Sequence, residues 1–292
     1  MPGCQSRRRG KKDKIVTIFV RICRIILMLS PALLSACVLS PAIQNALKDP
    51  NVVSFKSTHP QEISLAGPLM LTGRITKPAG NGPFPAVILL HGCGGLSANR
   101  DNRWVEKLIS WGYVTIQVDS LGPRGIRSVC SYRFEESSAF VQRRVQDAFD
   151  AQAYLTGLPD VDKSRIAVMG WSHGGWTTLE AILNEQNTFR AAIAFYPRCS
   201  GTLSGLKIPL LILIGEKDDW TPANACRAMM SVEKASPEQI LKVYPGAYHG
   251  FDNLGANFVV MGASGGHRLL YDQEAEADAT VRVKKFLSEH LK

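Results

Sequence analysis

The amino-acid sequence predicts an α/β fold in which helices cover both faces of a doubly wound, mostly parallel sheet. Short runs rich in Val and Ile alternate with helical patterns along most of the 292 residues, and this alternation is typical of parallel sheets. Several runs are apolar throughout, as expected of strands covered on both faces. A serine framed by glycines directly follows one run, at the edge of the sheet where ligands of such folds gather.

Seven runs are predicted as strands, and helical patterns separate them. Apolar residues at 141, 145, 148 and 149 recur at helical spacing, which indicates one buried helix face. Further helices are predicted over 176–183, after Pro222, which suits a first helical turn, and over 275–291. The predicted strands span residues 69–76, 86–91, 114–119, 166–171, 191–196, 210–215 and 240–244.

The chain is predicted to contain one catalytic domain over residues 66–292, preceded by a tether over 37–65 and a targeting segment over 1–36. The net charge is +9, but seven of these positive charges lie in residues 1–36. The nearly neutral remainder provides no electrostatic reason to expect a nucleic-acid partner.

The first 36 residues have the pattern of an export signal. A basic stretch precedes the uncharged run 25–36, which at 12 residues suits a signal peptide better than a membrane span. Residues 34–37 (LSAC) resemble a bacterial lipobox, which implies cleavage before Cys37 and its acylation. A membrane-anchored envelope lipoprotein is therefore expected. A plain signal peptide that releases a soluble periplasmic or secreted protein, and an uncleaved anchor, remain as alternatives.

Four cysteines remain after the targeting segment and Cys37. Export permits disulfides, and the order of the predicted elements favours Cys199–Cys226 and then Cys93–Cys130. The alternative is four small buried thiols.

Residues 170–174 (GWSHG) match the pattern G-x-S-x-G between a predicted strand and a predicted helix. That context is the one a nucleophile elbow requires, because the serine occupies a sharp turn with small residues two positions to either side. Ser172 is therefore predicted as a nucleophile, with a purely structural tight turn as the alternative.

An acid and a histidine are expected after the serine, in that order, since a serine hydroxyl needs a base to become nucleophilic. The spacing Gly-x-x-Asp-x-x-x-Pro after the strand 210–215 selects Asp218, with Asp219 as its rival. His249, in a glycine-flanked loop after the strand 240–244, is predicted as the base. His267 is a minor rival, and His290 is expected to be a solvated helix residue.

The glycine-rich run after the strand 86–91 is predicted to supply one half of an oxyanion hole. Its donor is the backbone N–H of Cys93, and the second donor is the N–H of His173. His91 is interpreted as a buried turn histidine.

Three further residues are candidates for substrate binding. Arg124 follows a central strand and is expected either to bind a substrate carboxylate or to pair with a nearby acid. Trp176 and Trp220 are expected to wall the pocket or to pack in the core.

Together these motifs resemble the dienelactone hydrolase family of the α/β-hydrolase fold, over residues 71–291. The resemblance implies hydrolysis of carboxylic esters. The founding members use a cysteine nucleophile, where this chain has Ser172, and a glutamate at the position of Gly92, which puts dienelactone itself in doubt as the substrate. The motifs are HGCGG at 91–95, DSLGPRG at 119–125, GWSHGG at 170–175, GEKDDWTP at 215–222 and YHGFD at 248–252.

The predicted activity is cleavage of small-molecule esters or lactones by a Ser-His-Asp acyl-enzyme mechanism, with no cofactor. No His/Cys cluster has metal-ligand spacing, so no zinc is expected. The alternatives are a serine peptidase or amidase on the same triad and a catalytically silent surface lipoprotein. The sequence does not indicate an oligomeric state.

Overall fold

The computed structural model describes residues 49–230 and 238–291. The compact unit begins at Asn51. Its strands, in chain order, are β1 Val52–Lys56, β2 Ile63–Ser64, β3 Gly67–Pro68, β4 Met70–Thr76, β5 Phe84–Leu90, β6 Val114–Asp119, β7 Val161–Trp171, β8 Ala191–Phe195, β9 Leu210–Gly215, β10 Gln239–Tyr244, β11 Asn257–Gly262 and β12 Gly265–Leu270. Its α-helices are α1 Arg103–Ser110, α2 Phe134–Thr156, α3 His173–Leu183, α4 Ala223–Met230 and α5 Gln273–His290.

Eight strands form the main sheet, in the order β1-β4-β6-β5-β7-β8-β9-β10. Strands β6, β5, β7, β8, β9 and β10 are parallel, and β1 and β4 are antiparallel at one edge. The predicted α/β fold with a mostly parallel sheet is confirmed. All residues of β8 and β9 are buried, because parallel strands covered on both faces have no solvent side.

The direction of winding reverses beside β5. The chain passes from β5 to β6 on one side, and then returns to β7 on the other. Right-handed crossovers in opposite directions place their helices on opposite faces of the sheet. The carboxyl ends of β5 and β7 therefore open a crevice at this switch point, which is where ligands bind in folds of this type.

Several elements lie outside those predicted, including α1 and the short strands β2 and β3. Strand β1 falls in the stretch interpreted from the sequence as a tether, and it pairs with β4 from Val52 to Lys56. Strands β11 and β12 form a separate antiparallel hairpin. The residues of β11 are partly or fully exposed, so its short apolar run at 258–261 does not have the burial of the central strands.

The predicted export segment and Cys37 lie outside the described residues. Within the described part of the chain, no helix has both the length and the apolar character needed to cross a bilayer.

Candidate active site

Ser172 lies in the turn between β7 and α3, at the carboxyl edge of the sheet. Its backbone has φ 54° and ψ −115°, a region that a residue with a Cβ occupies only when the surrounding structure enforces it. The turn lifts the side chain out of the strand and points the first turn of α3 toward the same space. Such strain is characteristic of a nucleophile elbow.

The two glycines of the G-x-S-x-G motif are required by close backbone contacts. A Cβ on Gly170 would lie 2.2 Å from the carbonyl oxygen of Gly174, and a Cβ on Gly174 would lie 2.0 Å from the carbonyl oxygen of Leu90. Neither space admits a carbon atom. The sequence prediction that these positions must be small therefore has a direct steric cause.

His249 follows β10 and reaches across to the serine. Its Nε2 lies 2.9 Å from Ser172 Oγ, and only 2% of the residue is exposed. The imidazole packs between the rings of Tyr196 and Trp220, with centroid separations of 4.5 and 5.2 Å. These contacts hold the ring in one orientation.

Asp218 follows β9 and lies behind the imidazole. Its Oδ2 is 2.8 Å from His249 Nδ1, and its Oδ1 accepts hydrogen bonds from the backbone N–H groups of Trp220 and Thr221. Burial opposes the ionisation of Asp218, but the facing His249 and the hydrogen bonds outweigh it and lower the pKa of the carboxyl. A carboxylate in this position accepts a hydrogen bond from Nδ1–H, which keeps that proton on Nδ1 and leaves Nε2 free to accept a proton from Ser172.

The rival residues are directed elsewhere. Asp219 is about half exposed, and its Oδ1 lies 3.5 Å from His267 Nδ1. His267 stacks on Trp220 at a centroid separation of 4.9 Å, and its Nε2 lies 3.0 Å from Ser264 Oγ. His290 contacts Glu238 through Nε2. Of the predicted acids and histidines, Asp218 and His249 are the ones that hydrogen bonds link to Ser172.

The two segments predicted to donate oxyanion N–H groups lie on either side of Ser172. His173 is the first residue of α3. Cys93 lines the same cavities as Ser172 and is joined to Cys130. A Cβ on Gly92 would lie 3.8 Å from Ser172 Cβ, so this loop passes directly over the serine.

Both favoured disulfides are present. Cys93 pairs with Cys130 at a Cα separation of 4.8 Å, and Cys199 pairs with Cys226 at 4.9 Å. The first attaches the loop after β5 to the segment that precedes α2, and the second attaches the segment after β8 to α4. Two disulfides indicate an oxidising compartment and hence an exported protein.

Ser172 borders two cavities that share Cys93, Cys130 and Trp220 in their walls. The first has a volume of about 360 Å³ and the second about 310 Å³. The first cavity is lined by aromatic and basic side chains, which include Tyr132, Arg133, Phe134, Trp176 and Arg198. The second is lined mainly by apolar side chains together with Arg100, and includes Leu96, Phe258, Val260 and Leu269.

The two tryptophans predicted as pocket walls both line this space. Trp220 borders both cavities, and Trp176 borders the first. Trp176 also stacks on Phe134 at a centroid separation of 6.0 Å and donates from Nε1 to Glu180. One side of each indole ring therefore packs against the protein, and another side faces the cavity.

Of the two roles predicted for Arg124, binding a substrate carboxylate or pairing with a nearby acid, the structure shows the pairing. Its guanidinium bonds with Glu62, with both carboxylate oxygens of Asp147 and with the carbonyl oxygen of Ser120. Only 5% of the side chain is exposed. With its donors occupied by two acids, Arg124 has none left for a substrate, so the alternative of pairing with nearby acids applies.

Sequence reasoning missed the buried groups that surround these residues. Asp252 Oδ2 accepts from the indole N–H groups of Trp104 and Trp171, and its Oδ1 accepts from Tyr196 OH. Tyr196 has a positive φ of 35° and packs on the imidazole of His249. The YHGFD motif contains Asp252, but nothing in the sequence indicates which side chains surround it.

A second missed group is Arg144, in α2. It occupies position i+3 of the apolar series that begins at Val141, so it lies on the buried face of the helix. A basic residue within an otherwise apolar stripe was the available signal.

No group of three or more His, Cys, Asp or Glu side chains that could hold a metal ion lies within residues 49–230 and 238–291.

Several curated proteins are similar to part or all of this chain. Human dipeptidyl peptidase 8 is 29% identical over 161 residues, which cover 51% of this chain and 16% of that protein. A protein of Azospirillum brasilense with the provisional name carboxymethylenebutenolidase is 23% identical over 239 residues, which cover 74% of this chain and 92% of that protein. The chain thus spans about a sixth of the peptidase.

Solved structures of dienelactone hydrolases share the fold. The enzyme from Anabaena variabilis aligns with a TM-score of 0.55 at 19% identity, covering 83% of this chain and all of that one. Residues 71–291 match the family model described as the dienelactone hydrolase family. Because the match extends over the whole sheet from β4 onward and includes the elbow, the chain belongs to the dienelactone hydrolase family.

Proposed function

We propose that this protein is a serine hydrolase that cleaves carboxylic esters or lactones through an acyl-enzyme. The observation that carries the proposal is the continuous hydrogen-bond chain from Ser172 Oγ through His249 to Asp218, at 2.9 and 2.8 Å. Membership of the dienelactone hydrolase family supports ester hydrolysis as the reaction. The serine replaces the cysteine expected from the founding members, which is consistent with a glycine in place of their controlling glutamate.

In the proposed reaction, His249 takes the hydroxyl proton as Ser172 attacks the carbonyl carbon. The carbonyl oxygen becomes an oxyanion, which the N–H groups of Cys93 and His173 stabilise. When the tetrahedral intermediate collapses, His249 gives its proton to the departing alcohol. Water then attacks the acyl-enzyme in the same way and releases the acid.

The position of Ser172 between two cavities supports an ester with a group on each side of the carbonyl. The two cavities of about 360 and 310 Å³ each suit a small substituent, one for the acyl part and one for the alcohol part. The first offers arginine and aromatic side chains, and the second is mainly apolar.

The test is hydrolysis of p-nitrophenyl acetate and a panel of lactones by the wild-type protein and by Ser172→Ala. We expect kcat to fall about 10⁶-fold on loss of the nucleophile. A fluorophosphonate probe is expected to label the wild-type protein at Ser172 only. Absence of both turnover and labelling in the folded wild-type protein would refute the proposal.

The two neighbouring acids offer a matched control. Asp218→Asn is expected to lower kcat by about 10⁴-fold, because the amide holds the wrong imidazole tautomer. The carboxylate of Asp219 faces His267 instead. The kcat of Asp219→Asn is therefore expected to stay within about twofold of the wild-type value. Equal losses in both variants would contradict the assignment of the acid.

The dipeptidyl peptidase relatives favour a peptidase or amidase as the second candidate. Peptide p-nitroanilides, assayed beside the esters, separate the two activities. Turnover of the anilides with kcat/KM above that of the esters would favour this candidate.

We further propose that residues 1–36 direct export and that acylated Cys37 anchors the mature protein to a membrane. The two disulfides support an exported location. Mass spectrometry of the mature N-terminus tests this proposal, since an unmodified Cys37 would contradict it.

A further inference from the structure

A buried cation lies behind the two segments that carry the proposed oxyanion donors. Arg144 of α2 has no exposed surface. Its Nη1 lies 2.8 Å from His173 Nδ1, and its Nη2 donates to the carbonyl oxygen of His91 at 2.6 Å. In the described part of the chain, no carboxylate forms a salt bridge with Arg144, because Asp147, the nearest acid on α2, bonds to Arg124.

This arrangement is energetically unusual. Burying a guanidinium without a paired carboxylate costs free energy that polar contacts only partly offset. Burial lowers the pKa of Arg144, but only to about 10, so the group keeps its charge at neutral pH. Its Nε has no hydrogen-bond partner among the described residues. A charge kept under these conditions is a candidate for a role in the reaction.

The first contact holds the residue after the nucleophile. A guanidinium only donates hydrogen bonds, so His173 Nδ1 is the acceptor and the ring proton lies on Nε2. Burial, and then the charge of Arg144, lower the pKa of His173 to about 3, so the ring is neutral. Because His173 is also the first residue of α3, this contact ties the start of the helix to α2.

The second contact begins a series that holds three successive carbonyl groups of the loop after β5. Arg144 binds the carbonyl oxygen of His91, the His91 ring binds that of Gly92 through Nδ1 at 2.7 Å, and the N–H of Val129 binds that of Cys93 at 2.9 Å. The tautomer of His91 follows from its other nitrogen. Since Nε2 accepts from the N–H of Ser120, Nδ1 carries the ring proton and donates a hydrogen bond to the carbonyl oxygen of Gly92.

We propose that Arg144 is a positioning residue of the oxyanion hole: it joins the Cys93 segment to the His173 segment and places a positive charge behind both donors. The proposal rests on the proposed ester hydrolysis. The tetrahedral oxyanion benefits from a fixed positive potential that the neutral ester does not need. Arg144 touches neither the substrate nor the reacting atoms in this scheme.

The experiment compares Arg144→Met, Arg144→Lys and the wild-type protein with p-nitrophenyl acetate. We expect kcat to fall by about 10²-fold in the Met variant, the loss typical of one oxyanion contact, with KM within twofold. A short alkyl trifluoromethyl ketone forms an anionic adduct with an active serine. Its Ki is expected to rise by the same factor as kcat falls, which a loss of packing alone would not produce.

The Lys variant covers the case in which the Met variant does not fold. Lysine keeps the charge but lacks the planar guanidinium that contacts both His173 and His91. We expect a roughly tenfold loss in kcat with a matching rise in Ki. Gln152→Met is the matched control, because Gln152 is a buried polar residue of the same helix that bonds to Thr188. It is expected to keep kcat and Ki within twofold.

Two results would overturn the proposal. One is a folded Arg144 variant whose kcat and Ki both stay within twofold of the wild-type values. The other is a loss of kcat with an unchanged Ki, which would assign Arg144 to a step other than oxyanion stabilisation. Both are distinct from failure of the proposed function, in which the wild-type protein itself neither turns over esters nor binds the ketone.

Discussion

Two buried arginines, Arg124 and Arg144, lie in very different surroundings. Arg124 is balanced by the carboxylates of Glu62 and Asp147. Arg144 faces a neutral imidazole and a backbone carbonyl. The first arginine sits in a closed ion-pair cluster, whereas the second lies behind the candidate reaction centre.

The difference indicates what each charge does. Opposite charges in close contact cancel each other's potential, so the Arg124 cluster contributes mainly to folding. The direct partners of Arg144 are neutral, and Asp147 and Asp119 attract it only through space, so its potential at the oxyanion loop is less compensated than that of Arg124. Residue type is the same and little of either side chain is exposed, so the partners distinguish a structural arginine from a positioning one.

The largest effect on stability is expected at the balanced cluster. Arg124→Met leaves two carboxylates without their partner, and breaking a buried pair in this way costs about 3–5 kcal/mol. We expect the free energy of unfolding in urea to fall by that amount, while kcat of the folded variant stays within threefold. Arg143→Met, which removes a partly exposed arginine bonded to Gln61, is the control. A large loss of kcat in the Arg124 variant would contradict the structural role assigned to Arg124 and hence its contrast with Arg144.

The two disulfides offer a second test, because one holds the loop that Arg144 contacts and the other does not. Removing either by double substitution to Ala is expected to cost about 2–4 kcal/mol of unfolding free energy, since their sequence separations of 37 and 27 residues are similar. Loss of Cys93–Cys130 also frees the loop that Arg144 holds, and kcat should fall about tenfold. Loss of Cys199–Cys226 should leave kcat within threefold. Identical kinetics in the two variants would mean that the loop needs no covalent support.

The smallest effect is expected at a third cluster, which joins α1 to α5. Glu276 accepts hydrogen bonds from Arg103, Lys107 and Tyr271. Burial opposes its ionisation, but these partners outweigh it and lower the pKa of Glu276 below its usual 4.5. The resulting stability is fully present above pH 4.5 and is lost as the pH falls through the lower pKa of the folded state.

Glu276→Gln is therefore expected to lower the free energy of unfolding by about 1 kcal/mol at pH 7 and by progressively less at lower pH. Urea titrations between pH 7 and pH 3 measure this difference. The exposed Glu289, 3.9 Å from Lys285, is the control, and Glu289→Gln should change little at any pH. A pH-independent deficit in the Glu276 variant would show that lost packing, and not lost charge, is responsible.

The central strands were predictable because the residues of each strand by themselves indicate that the strand is buried. Continuous apolar runs mark strands covered on both faces, and β8 and β9 have exactly that environment along their whole length. Strand β1 and the hairpin of β11 and β12 escaped prediction for the opposite reason. They lie at the edge of the main sheet or outside it, where most of their residues are exposed or only partly buried.

At the candidate site, residue type and order predicted which serine, acid and histidine meet, because each follows a recognisable strand. The environment of Arg124 was not predictable in this way. Its partner Glu62 lies 62 positions earlier in the chain, in a stretch with no strong pattern. Whether an arginine near a strand end faces a ligand or an acid depends on contacts that sequence spacing does not encode.

The sequence by itself determined the central strands of the sheet, the glycines of the elbow and the identity of Ser172, Asp218 and His249 as candidates, since these depend on local periodicity and sterics. The tertiary structure decided which charges are cancelled and which are not. Arg124 and Arg144 are both basic residues near the same sheet edge, and only the folded chain gives one of them carboxylates and the other neutral dipoles. Electrostatic potential depends on distances in space, and distant segments of the chain set those distances.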